Sequence, residues 1–234
     1  MGRIDLEPHP LLALGVVEAR VTPPFSPESE LGALLRANPG DARIPAGIGF
    51  DRQALAPVYD AVRAVLRHGG FKPAGRSKPA SEYLARARDE GSLAPLHPLV
   101  DVNNVVSLHT GLPASIVDGD LARDPLVVKI AGAGASYVFN PSGQEMDLGG
   151  LVCLHHGAEC TPCANAVKDS MATKVRDETS SLLAVVYSPR GDKFRARIET
   201  ALSWFVRLLE VHCGGHDIRT EILENDALDP PPET

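Results

Sequence analysis

Leu182-Leu-Ala-Val-Val-Tyr-Ser188 and, after the break Pro189-Arg-Gly191, Lys193-Phe-Arg-Ala-Arg-Ile-Glu-Thr-Ala-Leu-Ser-Trp-Phe-Val-Arg-Leu-Leu-Glu-Val211 are the stretch that decides the fold. The first run is short, branched and apolar, the composition of a buried strand. In the second, Phe194, Ile198, Ala201, Leu202, Phe205, Leu208 and Leu209 recur at three- and four-residue steps. They form one stripe of a long helix, closed by Gly214-Gly215. A helix with one apolar stripe must cover another layer, and strands before it supply one.

Upstream, Leu126–Ile130, Ser136–Phe139 and Leu151–His155 are further short apolar or alternating runs, separated by Gly, Pro, Asn and Asp. Ahead of them the pattern turns helical. Asp101–His109 reads as a helix with Asp101 at or near its N-cap and Gly111-Leu-Pro113 as its stop. Ser81–Glu90 is a shorter helix ended by Gly91. Asp51–His68 is amphipathic through Leu55, Val58, Val62, Val65 and Leu66, and Gly69-Gly70 stops it; Pro57 either divides it or marks the first turn of its main part. Glu28–Arg36 is a helical piece between loops, and Leu12–Val21 an early strand.

The expectation is an α+β fold: helices first, then a mixed or antiparallel sheet flanked by helices, with the long C-terminal helix packing back on it. Residues 1–223 form one domain of two intimate lobes, helix-rich over about 1–95 and sheet plus closing helix over 96–223. Residues 224–234 carry three consecutive prolines and read as a mobile tail.

The chain has 234 residues, 44% of them hydrophobic and 23% charged, an ordinary globular composition. No apolar run approaches the roughly 20 residues of a membrane span, and Met1–Pro8 is not an apolar leader. The expectation is a cytoplasmic protein without a membrane partner. A net charge of -7 argues against bulk binding to a duplex, and DNA is not expected as a partner. One stretch runs the other way. Between Ala61 and Ala80 stand Arg63, Arg67, His68, Lys72, Arg76 and Lys78 with no acidic residue. It is either a solvated helix face running into a basic loop or a local grip on phosphates.

Three of the four cysteines cluster with two histidines, as Cys153-Leu-His155-His156 and Cys160-Thr-Pro-Cys163. Cys153, His155, Cys160 and Cys163 can make a tetrahedral zinc set. The alternatives are a redox CxxC and plain unligated thiols, which suit a reducing compartment. Ala131-Gly-Ala-Gly134 lacks the third glycine of a dinucleotide loop and reads as a strand turn. His97, His109, His155 and His156 are the histidines among which a catalytic base would be sought.

The richest polar segment is His97-Pro-Leu-Val-Asp101-Val-Asn-Asn104-Val-Val-Ser107-Leu-His109. On a helix Asp101, Asn104 and Ser107 share a face, and they either tie neighbouring backbone groups or line a pocket. A second polar cluster, Asn165, Lys168, Asp169, Ser170, Thr173, Lys174 and Thr179, precedes the strand at Leu182. It is either a loop lining that same pocket or an ordinary solvated loop.

Two segments carry a resemblance. Lys78-Pro-Ala-Ser-Glu82-Tyr-Leu-Ala-Arg86 leads to Pro98-Leu-Val-Asp101-Val-Asn-Asn104-Val-Val-Ser107 and Gly111-Leu-Pro113. Later come Asp169-Ser170, Thr173-Lys174 and Thr179 before an apolar strand. Together with the helix ending His212-Cys-Gly-Gly215, they resemble the B3/B4 domain of the phenylalanyl-tRNA synthetase beta subunit, especially its free-standing single-domain relatives, from about Leu12 to Gly215.

The resemblance implies a B3/B4-like fold and a free-standing tRNA-editing activity: hydrolysis in trans of the ester of a mischarged aminoacyl-tRNA, without an aminoacylating function and without a required cofactor. It further implies the acceptor end of an aminoacyl-tRNA as partner. Asn104, Asp169, Thr173 and Lys174 would be catalytic. Asp101, Ser107, Ser115, Ser170 and Thr179 would bind substrate, and Arg63, Arg67, Lys72, Arg76 and Lys78 would bind RNA. Ser115 stands where the synthetase domain has a histidine, and Lys174 where it has its editing glutamate, so the resemblance does not extend to tyrosine selection. It lends nothing to zinc, which remains a possibility of the Cys/His cluster alone. The rival reading is a non-catalytic module of the same fold, possibly zinc-stabilised, that binds an amino acid or an RNA end.

Overall fold

A computed structural model describes residues 3–26 and 29–225 of the chain. Two four-stranded sheets carry the architecture, and the N-terminal segment contributes to both. In the first, β1 (Ile4–Leu6) lies parallel to β4 (Leu126–Ile130), followed by antiparallel β7 (Val152–His156) and β8 (Thr161–Asn165). In the second, β2 (Leu12–Arg20) sits between β9 (Ser181–Pro189) and β10 (His216–Leu223), and β3 (Ala114–Asp118) forms the far edge beyond β9; all its pairs are antiparallel. A small ribbon joins β5 (Ser136–Val138) to β6 (Glu145–Asp147). The α+β class with helices flanking the sheets and a long C-terminal helix is therefore as expected. The early strand expected at Leu12–Val21 is β2, and the unexpected β1 precedes it; both pair with partners more than a hundred residues away.

The helices are α1 (Ser29–Arg36), α2 (Arg52–Arg67), α3 (Ala80–Asp89), α4 (Pro98–Thr110) and α5 (Asp192–Cys213). Asp51 caps α2 by accepting from the N–H groups of Gln53 and Ala54, and the helix runs through Pro57 without division. α5 ends at Gly214 in the left-handed region, where a residue without Cβ closes the last turn. None of these helices is long and apolar enough to cross a membrane.

α4 starts three residues before the expected point. His97 is its N-cap, accepting from Leu99 N–H at 3.3 Å, and Pro98 fills the first turn, where a missing N–H costs nothing. Asp101 thus lies inside the first turn rather than at the cap, and its carboxylate accepts from the Leu96 N–H at 2.9 Å. α4 packs against α1, α3, α5 and β3, so it is surrounded, as a helix apolar on most sides must be. Within α4 only Val100 and Asn104 are less than fully buried, one turn apart on one face. One core of buried apolar side chains extends from Ile4 to Cys213.

At the C-terminus, Glu224 pairs with Arg190 at 3.2 Å and Asn225 donates to the Leu6 carbonyl at 2.6 Å. Residues 226–234, which hold most of the expected tail, lie outside the described residues, as does Glu28.

Candidate functional site

The half-buried face of α4 opens on a cavity of about 610 Å³. Val100, Asn103 and Asn104 form its α4 wall, α3 adds Tyr83, Leu84 and Ala87, and β3 adds Ala114 and Ile116. The opposite wall is the segment from Asn165 to Val175, with Asp169 and Lys174. Arg76, Lys78, Ser92 and Lys168 complete the polar lining.

The local fold of that segment is set by one amide. Asn165 accepts from the N–H groups of Val167 at 2.7 Å and Lys168 at 3.0 Å, a turn of the type asparagine favours. Its amide nitrogen donates to the Tyr137 hydroxyl, which itself donates to the Lys168 carbonyl. The Ala80 N–H then ties α3 to this turn through the Ala166 carbonyl at 2.8 Å. The two segments, far apart in sequence, are thus stitched together at the cavity.

Asp169 is the distinctive group. Its Oδ2 accepts from the Ile116 N–H at 3.1 Å, and its Oδ1 is buried without a hydrogen-bond partner among the described residues. Burial raises its carboxyl to about 7, against the opposing pull of the Ile116 and Asn165 backbones and the Lys174 ammonium. A carboxyl poised there can both take and return a proton near neutrality. Lys168 sits over the Phe139 ring, 3.9 Å from its centroid, and its ammonium is shifted down by burial and then by Arg76.

Asn104, Asp169 and Lys174, which sequence reading grouped as catalytic, line this one cavity. Thr173 does not line it; it is fully buried and its hydroxyl donates to the Cys163 carbonyl at 3.3 Å. None of the expected substrate-binding residues is in the cavity lining. Asp101 holds Leu96; Ser107 and Ser115 are buried; Ser170 accepts from the Ala172 N–H at 3.2 Å; and Thr179 donates to Asp118 Oδ2 at 2.6 Å.

The basic stretch divides. Arg76 and Lys78 reach the cavity, whereas Arg63 is ion-paired with Glu82, and Arg67 and Lys72 are exposed away from it. Sequence reading missed Asn103 and Glu82. The Asn103-Asn104 doublet was visible, but a one-residue step on a helix is a 100° turn, and only the contacts of α4 show which face is free.

Cys153, His155, Cys160 and Cys163 do not converge, and among the described residues no three His, Cys, Asp or Glu side chains form a metal-holding group. β7 and β8 carry them, with Cys153 opposite Asn165 and His155 opposite Pro162. Burial pushes the Cys163 thiol up to about 12 and Cys153 higher still. His109 is no free base either: buried, it accepts from the Phe50 N–H at 3.0 Å and bonds the Leu34 carbonyl at 2.8 Å.

No family model matches the chain, and no curated protein matches it. Among solved structures, the crystal structure of an N-terminal fragment of the phenylalanyl-tRNA synthetase beta-subunit from Pyrococcus horikoshii is similar over 52% of this chain, at 16% identity and a TM-score of 0.43. The match spans 41% of that fragment's own length.

Proposed function

We propose that the cavity receives the aminoacylated 3′ end of a tRNA in the cytoplasm and hydrolyses its ester, so that the protein acts as a free-standing deacylase of mischarged tRNA with a B3/B4-like domain. One observation carries the reading: Asn104, Asp169 and Lys174 come from the two sequence segments that resemble the editing domain, and they line one cavity with a cationic rim. Arg76, Lys78 and Lys168 offer charge to the phosphates of the terminal nucleotides. Leu84, Leu93, Val100 and Val175 offer an apolar wall to an amino-acid side chain.

In the proposed step a water oxygen bonds to the ester carbonyl carbon while its proton passes to the Asp169 carboxylate. Asn104 and Lys174 donate to the carbonyl oxygen as it becomes an oxyanion. The tetrahedral intermediate then collapses, the bond from the carbonyl carbon to the ribose oxygen breaks, and Asp169 returns the proton to that oxygen. The products are a free amino acid and an uncharged tRNA. No cofactor enters this step.

The test is a panel of correctly and incorrectly charged aminoacyl-tRNAs, scored for ester loss above the spontaneous rate. Selective loss of one or a few mischarged species is expected, abolished by Asn104→Ala and Asp169→Asn without collapse of the fold. Binding without ester loss would assign the cavity to a non-catalytic module for an amino acid or RNA end. Neither binding nor loss would refute the reading.

A further inference from the structure

The edge of the second sheet singles out a residue with no role in the step above. β3 uses one side of its backbone to pair with β9: Tyr187 N–H donates to the Pro113 carbonyl at 2.9 Å, and Ser115 lies opposite Val185. The alternate groups, the Ala114 carbonyl and the Ile116 N–H, point off the free edge. Two side chains satisfy them. Asn103 Nδ2 donates to the Ala114 carbonyl at 3.1 Å, and Asp169 Oδ2 accepts from the Ile116 N–H at 3.1 Å.

Each contact orients the rest of its side chain. A carbonyl only accepts, so the Asn103 nitrogen must face Ala114, and the amide oxygen is turned elsewhere. That oxygen is buried in a residue only 6% exposed and has no hydrogen-bond partner among the described residues. Asp169 Oδ1 is likewise buried without a hydrogen-bond partner among the described residues, although Asp169 as a whole is only half-buried. Two buried acceptors without donors, on residues that line one cavity, stay unsatisfied unless a ligand donates to them. The other charged groups of the lining, Arg76, Lys78, Lys168 and Lys174, are all donors, so this wall alone suits a cationic donor.

We infer that Asn103 Oδ1 accepts a hydrogen bond from the free α-ammonium of the substrate, so that the substrate class is esters of amino acids with an unblocked amine. N-acylated esters, including peptidyl ones, are refused. The inference rests on the proposed deacylase reading of the cavity. Ala114 and Ile116, the two anchors, are two residues or about 7 Å apart along the strand. An α-amino ester spans such a gap with its ammonium on Asn103 and the attacking water on Asp169, because amine and carbonyl share one carbon. N-acylation removes the positive charge and two of the three donors.

The experiment compares one mischarged aminoacyl-tRNA with its N-acetylated form, by kcat/KM for ester loss. The wild-type protein should prefer the free amine by at least about 100-fold. Asn103→Ala should bring the ratio down toward unity, whereas a merely structural role would lower both rates together and leave the ratio intact. Equal rates on both esters by the wild-type protein would overturn the inference and leave the deacylase reading standing. A 3′-amide analogue of the aminoacyl-adenosine end, free or N-acetylated, is titrated in parallel by calorimetry. It reports the same preference even if no ester is cleaved. Equal affinity for both analogues overturns the inference, and binding of neither overturns it together with the reading of the cavity.

Discussion

Asp169 is fastened to β3 through Ile116, whose N–H donates to one carboxylate oxygen at 3.1 Å while the other oxygen stays buried at the cavity wall. Burial holds this carboxyl at about 7 in the fold, against an ordinary value of 3.8. Between those values the unfolded chain has lost the proton and the folded chain keeps it. Stability therefore falls as pH rises through this window and levels off above it. Relative to Asp169→Asn, the wild-type protein should lose up to about 1.4 kcal/mol per pH unit between pH 5 and 7. Denaturant unfolding at several pH values measures this. Parallel curves for the two proteins would mean that the carboxyl titrates in the ordinary range. Ester hydrolysis should rise over the same window, as the carboxylate becomes available to take a proton.

His109 links α4 to two other segments, accepting from Phe50 N–H and bonding the Leu34 carbonyl. Its pKa is lowered, first by burial, so the folded chain resists the proton that the unfolded chain takes up below about 6.5. Acidification from pH 7 to 5 should therefore destabilise the protein through this group. His109→Ala should cost about 3 kcal/mol, since it strands a buried N–H and a carbonyl and leaves a cavity. A loss below 1 kcal/mol would show that water replaces the ring.

Arg63 and Arg76 should behave oppositely. Arg63 holds Glu82, which is only 8% exposed, so Arg63→Ala leaves a buried carboxylate without its partner. The expected cost is about 2 kcal/mol, less than for a fully buried pair because Arg63 itself is 30% exposed. Replacing Arg76 and Lys78 by alanine should leave the melting temperature nearly unchanged and weaken tRNA binding. The salt slope should drop by about 0.7 per lost phosphate contact. A salt slope that responds to Arg63 and not to Arg76 would reverse the assignment.

The thiols give a chemical test of the β7–β8 hairpin. Cys153, Cys163 and Cys213 are buried, whereas Cys160 is partly exposed beside the Lys129 ammonium. One thiol per folded chain should react quickly with an aromatic disulfide reagent, and all four cysteines only after unfolding. A strong chelator should leave the melting temperature where it was. A drop of several degrees, reversed by zinc, would restore the metal reading of these residues.

Local pattern sufficed wherever one element supplies its own signal. α5, β9 and β4 are legible because an apolar stripe or a branched run identifies them without reference to a partner. The polar clusters around Asn104 and Asp169 stood out for the same reason, as polar groups set in apolar surroundings. The strands β1, β3, β6, β8 and β10 were not legible. They are short or largely exposed, β8 contains Pro162, and β10 exists as a strand because β2, about two hundred residues earlier, presents an edge to it.

The site divides along the same line. Sequence by itself determined the fold class and which two segments hold the candidate chemistry, since both follow from periodicity and residue type. Only the tertiary structure decided that Asn103 rather than Asp101 lines the cavity, that Arg63 is consumed by Glu82, and that Gly69 does more than end α2. A Cβ at Gly69 would stand 2.4 Å from the Gly150 carbonyl, so this glycine is required by a neighbour eighty residues away. Which atom is left without a partner, or without room, depends on contacts between distant segments, and no local pattern encodes those.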